Sequence, residues 1–149
     1  MEPFSLIAGH EEVLAVFGRW PSFHDGEVHR LLLDSTRTDA KGLRYPSIEL
    51  ALRGWNLTAQ VSDEGFYKVE GDSIVSFLFE HVYDVELDGL NHQNVLSELE
   101  LSEAQDPRNP DNKHLKIDLV HCYGLSGGFK AAAARVLSIM PFIKVASAA

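Results

Sequence analysis

Ser47-Ile48-Glu49-Leu50-Ala51-Leu52-Arg53 alternates without a break, with Ile48, Leu50 and Leu52 on one side and Ser47, Glu49, Ala51 and Arg53 on the other. A period of two marks a half-buried strand, because successive Cβ atoms of an extended chain point to opposite faces. The pattern returns on both sides of this stretch. Tyr83, Val85 and Leu87 interleave with Asp84, Glu86 and Asp88; Val95, Leu99 and Leu101 face away from Glu98 and Glu100. Leu115, Ile117 and Leu119 alternate with Lys116 and Asp118. Val28 to Leu33 and Ile74 to Phe79 are denser apolar runs, as expected of central strands covered on both faces. Asp34 to Gly42, Asp63-Glu64-Gly65, Glu70-Gly71-Asp72, Asp88-Gly89 and Asp106 to Asn112 supply turn chemistry between the runs.

One stretch reads as helix. His10 to Phe17 places apolar residues at 13, 14, 16 and 17, with Glu11 and Glu12 near the positive end of the dipole and Gly18 as the stop. Lys130 to Leu137 carries four alanines and hence helix propensity. It nevertheless opens after Gly127-Gly128, closes at Pro141 and contains Val136 and Ile139, a context that favours a last strand paired with 115–122. The prediction is a mainly β fold, an antiparallel sandwich or open barrel of about seven strands with one short N-terminal helix. A single domain over 1–149 is expected, with a frayed tail from about 145.

The composition is that of an ordinary globule: 149 residues, 45% hydrophobic and 23% charged. No apolar run approaches the roughly 20 residues a bilayer span requires. Cys122 is the only cysteine, which excludes an internal disulfide and a cysteine-based zinc site. Met1-Glu2-Pro3-Phe4 has no basic stretch, so a cytoplasmic protein is expected rather than a secreted one. Thirteen Lys and Arg against 22 Asp and Glu give a net charge of −9, which argues against gripping nucleic acid and favours basic partners.

Several patterns suggest chemistry and meet a simpler reading. Gly124-Leu125-Ser126-Gly127-Gly128 matches a hydrolase nucleophile elbow, but no Asp, Glu or His follows Ser126 to complete a triad. A glycine-rich hairpin turn is expected there. His24 and Asp25, with His29 beyond, invite a metal. In extended backbone 24 and 29 face opposite ways, and His81, His92, His114 and His121 add no ligand-like spacing, so neither metal nor cofactor is predicted. His24 and Asp25 are expected to satisfy each other structurally, with Trp20, Pro21 and Phe23 plugging one end of the sheet. Asn91-His92-Gln93-Asn94 reads as a solvated turn or a recognition loop, and Asn56-Leu57-Thr58 as a sequon without consequence.

Acids form the main surface feature. Glu80, Asp84, Glu86, Asp88, Glu98, Glu100 and Glu103 lie in two successive strand candidates; if those strands pair, Asp84, Glu86, Asp88, Glu98 and Glu100 make one negative face. Such a face is a candidate docking surface for a basic protein.

Three stretches carry a resemblance. Phe17-Gly18-Arg19-Trp20-Pro21-Ser22-Phe23-His24-Asp25-Gly26-Glu27-Val28, Gly89-Leu90-Asn91-His92-Gln93-Asn94-Val95-Leu96, and Tyr123 through Phe129 with Leu137-Ser138-Ile139-Met140-Pro141 resemble the immunity protein 50 family of small bacterial proteins. Gly26 stands where that family's pattern has Ala, and the alanines at 131–134 replace a mixed strand. The resemblance implies protection against a polymorphic toxin and carries no catalytic residues. The expected function is therefore non-catalytic: a rigid acidic scaffold that occludes a toxin domain, with the 91–94 loop as a second contact. The rival is an enzyme or metal-dependent module centred on Trp20, His24, Asp25 and His29. A small-molecule sandwich with Trp55, Phe66 and Tyr67 at its mouth is a third reading.

Overall fold

Pro3–Leu6 makes one 3-10 turn that leads into a two-residue strand, β1 (Ile7–Ala8), and a helix, α1 (His10–Phe17). Gly18, at φ 76°, ends α1 by donating its N–H to the Leu14 carbonyl at 2.8 Å. Only Val13 and Phe17 of α1 are buried, so the helix is held by one narrow stripe. This computed structural model describes the backbone of residues 2–61, 63, 65 and 67–143, and their side chains outside 57–61 and 67–70. The tail from 145, Glu64 and Phe66 lie outside what is described, as do the side chains of Leu57 and Thr58 in the sequon and of Tyr67, and with Phe66 and Tyr67 the aromatic ligand mouth.

Six long strands follow: β2 (Val28–Thr38), β3 (Arg44–Val61), β4 (Tyr67–Asp88), β5 (Val95–Asp106), β6 (Asn109–Tyr123) and β7 (Ser126–Pro141). They form one sheet in the order β2-β3-β4-β7-β6-β5, antiparallel throughout, with β1 added in parallel beside β7. The fold is mainly β with one short α-helix, as the patterning predicts, and the sheet is not closed into a barrel. Residues 130–140 are strand: the alanines of β7 sit between two neighbours, where packing outweighs helix propensity.

Three expectations are corrected. Val28 to Leu33 is not a central, doubly covered strand: β2 is an edge of the sheet, and Leu32 and Leu33 are exposed. Glu70-Gly71-Asp72 is not a turn, since β4 runs through it, with Gly71 at φ 69°. The separate runs at 74–79 and 83–87 are one strand. His81 (φ 53°) and Asp84 (φ 50°) adopt left-handed backbone inside it, and the register against β7 slips between Tyr83 and Glu86.

One face of the sheet holds the core. Leu50, Leu52, Val75, Phe77, Phe79 and Ile117 are fully buried there, under Ile7, Val13, Phe17 and Phe23 from the N-terminal segment. Each such side chain contributes roughly 1.5–3 kcal/mol on burial. The other face is polar and supports two tyrosines. Tyr45 donates to Glu80 at 2.6 Å, and that hydrogen bond, with burial, raises its phenol above the ordinary value; burial raises Tyr83 too. A raised phenol favours the folded state at and below pH about 10, and the contribution is lost as pH rises through the folded value. Urea titrations between roughly pH 8 and 11 are therefore expected to show falling stability, with a shallower slope in the Tyr45→Phe, Tyr83→Phe double variant.

Candidate functional site

The segment containing Trp20, Phe23, His24 and Asp25 is a seam between the two edges of the sheet. Ser22 accepts from the Leu99 N–H and Gly26 from the Leu96 N–H of β5, both at 2.9 Å, while Glu27 accepts from Arg53 of β3, also at 2.9 Å. Val28 donates to the Asn94 carbonyl at 2.8 Å. The edges thus meet at one end through the Glu27–Val95 bridge. Making that crossing puts Phe23 and Asp25 at φ 59°, a costly conformation for residues with side chains. Phe23 is 2% exposed and packs edge-on against Phe17, Trp20 and Phe77. Trp20 stacks on Phe4 at 5.1 Å, and its buried indole N–H has no partner among the described residues.

His24 and Asp25 do not form the buried, mutually satisfied pair that was expected. Their side chains are 68% and 58% exposed, 3.5 Å apart. The Ser97 carbonyl, 2.9 Å from Nδ1, fixes the His24 ring instead. Together with Arg19, Trp20, Trp55 and Asn56 they rim a cleft of about 450 Å³. His29 packs on Phe142 rather than joining them, and the described residues contain no group of three metal-capable side chains.

Asn91 and His92 are exposed, with the His92 ring 2.9 Å from the Asn91 side-chain oxygen. Their loop is built on Asn94. The Asn94 Oδ1 accepts from Asn91 N–H (2.9 Å) and Leu125 N–H (3.0 Å), and its Nδ2 donates to the Asn91 carbonyl (2.9 Å). Asn94→Ala is expected to cost about 2–3 kcal/mol, because a buried amide loses its acceptor. Thermal melting checks this, and an unchanged Tm would show that the loop does not depend on the side chain.

The acidic strands do not pair as supposed: β7 and β6 stand between β4 and β5. The acids meet by a different route. Glu86 pairs with Gly128, Gly128 with Asp118, and Asp118 with Glu100, so one row crosses four strands. Directly opposed residues of antiparallel strands share a face, which puts Glu86, Asp118 and Glu100 on one side of the sheet. Glu98 and Asp88 lie one same-face step further along β5 and β4, and both are exposed.

Gly128 leaves a gap in this row. A hollow of about 430 Å³ opens over it, walled by Asp84, Glu86, Lys116, Asp118 and Lys130. Lys130 reaches Asp84 at 3.2 Å and Lys116 reaches Asp118 at 3.8 Å. The face is therefore negative with two internal lysines, and Glu86, Glu98 and Glu100 have no ion-pair partner among the described residues. Asp118, the acid that joins the row, was not in the predicted set; its alternation in 115–119 was legible, but its neighbours were not.

A second cluster escaped the sequence reading. Tyr83, His114 and Asp106 line a cleft of about 530 Å³ with His81, Pro107, Arg108 and Ala132. The Tyr83 hydroxyl is 2.8 Å from His114 Nδ1, and His114 Nε2 is 3.6 Å from Asp106 Oδ2. Backbone donation from Arg108 is the main effect holding the Asp106 carboxyl below its usual value, and Asn112 and His114 add to it.

No helix among the described residues is long and apolar enough to cross a membrane. The chain matches no protein-family model, no curated protein and no solved structure.

Proposed function

We infer that this protein is a binding module whose acidic face docks a basic protein surface and does no chemistry there. The Glu86–Gly128–Asp118–Glu100 row is the observation that carries this reading. Like charges directly opposed weaken a sheet. Glu100 against Asp118 is such a pair, and its cost is offset if a partner's cations neutralise it. The hollow over Gly128 has the size for one Lys or Arg side chain, flanked by Glu86 and Asp118. A long-range negative field would speed encounter with a basic partner.

The resemblance to immunity proteins, which rests on the quoted motifs alone, gives the partner a class: a toxin domain encoded beside this protein and neutralised by occlusion. Toxins that grip phosphate are basic where they do so, which suits an acidic inhibitor. The test is titration of the neighbouring reading frame's purified product against this protein. Binding is expected to weaken at least about tenfold from roughly 50 to 500 mM salt, and Glu86→Lys with Glu100→Lys to slow association about tenfold. No association, or one indifferent to salt and to both reversals, overturns the reading.

A further inference from the structure

We propose that Tyr83 is a nucleophile, with His114 as its general base, in the cleft between β4 and the tip of the β5–β6 hairpin. The chain supplies the three roles such a site needs. Tyr83 Oη lies 2.8 Å from His114 Nδ1, the imidazole's other nitrogen faces Asp106 at 3.6 Å, and Asp106 is itself held by the Arg108 N–H at 2.8 Å and by Asn112 at 3.3 Å. The His114 and Asp106 side chains are only 12% and 18% exposed, which separates this chain of contacts from an ordinary surface pair. On either side of Tyr83, His81 and Asp84 adopt left-handed backbone, and the register against β7 slips just after Tyr83.

Burial raises the Tyr83 phenol, so it is protonated at rest. Its proton must leave as the new bond forms, and His114 Nδ1 is placed to take it. In the resulting imidazolium, the N–H at Nε2 faces the Asp106 carboxylate. The matching substrates are activated acyl, sulfonyl or phosphoryl groups carrying an anionic substituent. Arg108, at the cleft's mouth and without an ion-pair partner among the described residues, would meet that substituent.

The probe is 4-carboxybenzenesulfonyl fluoride. The Tyr83 oxygen bonds to sulfur, the S–F bond breaks, fluoride leaves with the bonding pair, and the phenol proton passes to His114. Mass spectrometry of the intact protein and its peptides reads the site and rate. Tyr83 is expected to label at least about tenfold faster than Tyr123, which is 46% exposed and, with His92 edge-on at 6.4 Å between ring centroids, has no histidine hydrogen-bonded to its hydroxyl among the described residues. His114→Ala should abolish that excess, and added imidazole should restore part of it in the folded variant, a rescue no purely structural role would give. Arg108→Ala should remove the preference for the carboxylated probe over benzenesulfonyl fluoride. Tyr83 labelling no faster than Tyr123, or labelling unaffected by His114→Ala, overturns the proposal. If His114→Ala does not fold, His114→Gln serves: a retained Tyr83 excess overturns the proposal and its loss supports it.

Discussion

Gly127→Ala is expected to cost about 4 kcal/mol or more and to leave much of the chain unfolded at ambient temperature. Gly127 pairs with Leu87 of β4 and Leu119 of β6, at φ 126°, where residues with a side chain are rarely found. A Cβ there would collide with the Glu86 carbonyl oxygen, a backbone atom with nowhere to retreat. Relief requires β7 to part from β4, along a ladder that runs from Ser73 to Asp88. Gly42→Ala is the matched control. Gly42 has φ 78° but open space around it, so only backbone strain remains and about 1 kcal/mol is expected. Urea denaturation of both variants separates collision from strain. Equal losses would mean that β7 gives way without cost.

Phe77→Ala carries the second large effect, about 3–5 kcal/mol by loss of transfer energy and an unfilled cavity. Phe77 is fully buried at the centre of an aromatic cluster, with ring centroids 6.1 Å from Trp20, 6.1 Å from Phe23 and 5.8 Å from Phe79. Trp20 and Phe23 belong to the seam joining the sheet's edges, so the cavity also loosens that crossing. Phe77→Ala combined with Phe23→Ala should therefore destabilise less than the sum of the two. Strict additivity, measured by the double-mutant cycle, would show that seam and core are independent.

Much of this fold is legible residue by residue. The alternation at 47–53 and 115–119 is local and survives into β3 and β6 unchanged, whereas in β5 the register slips on both sides of Leu96, which is buried in place of Val95. Strand order is not local. β7 enters between β4 and β6, and nothing in Glu86 or Glu100 announces Gly128 and Asp118 as neighbours. The left-handed backbone at His81 and Asp84 hides β4's continuity, because two residues with side chains take a conformation that sequence assigns to glycine. The exposed His24–Asp25 pair drew attention through adjacency, whereas Tyr83 and His114, 31 residues apart, drew none. Asn94 was read only as one of four polar residues, yet it is the one that is buried and holds the loop.

The acidic row can be probed without knowing the natural partner. A backbone amide NMR titration with an arginine-rich tetrapeptide at low salt reports where a basic surface settles. Shifts are expected to concentrate on Glu86, Asp118, Gly128 and Glu100, and to shrink in a Glu86→Gln, Glu100→Gln variant. Shifts centred instead on the cleft around Trp20 and His24, or unchanged by those two neutralisations, would contradict docking through this face.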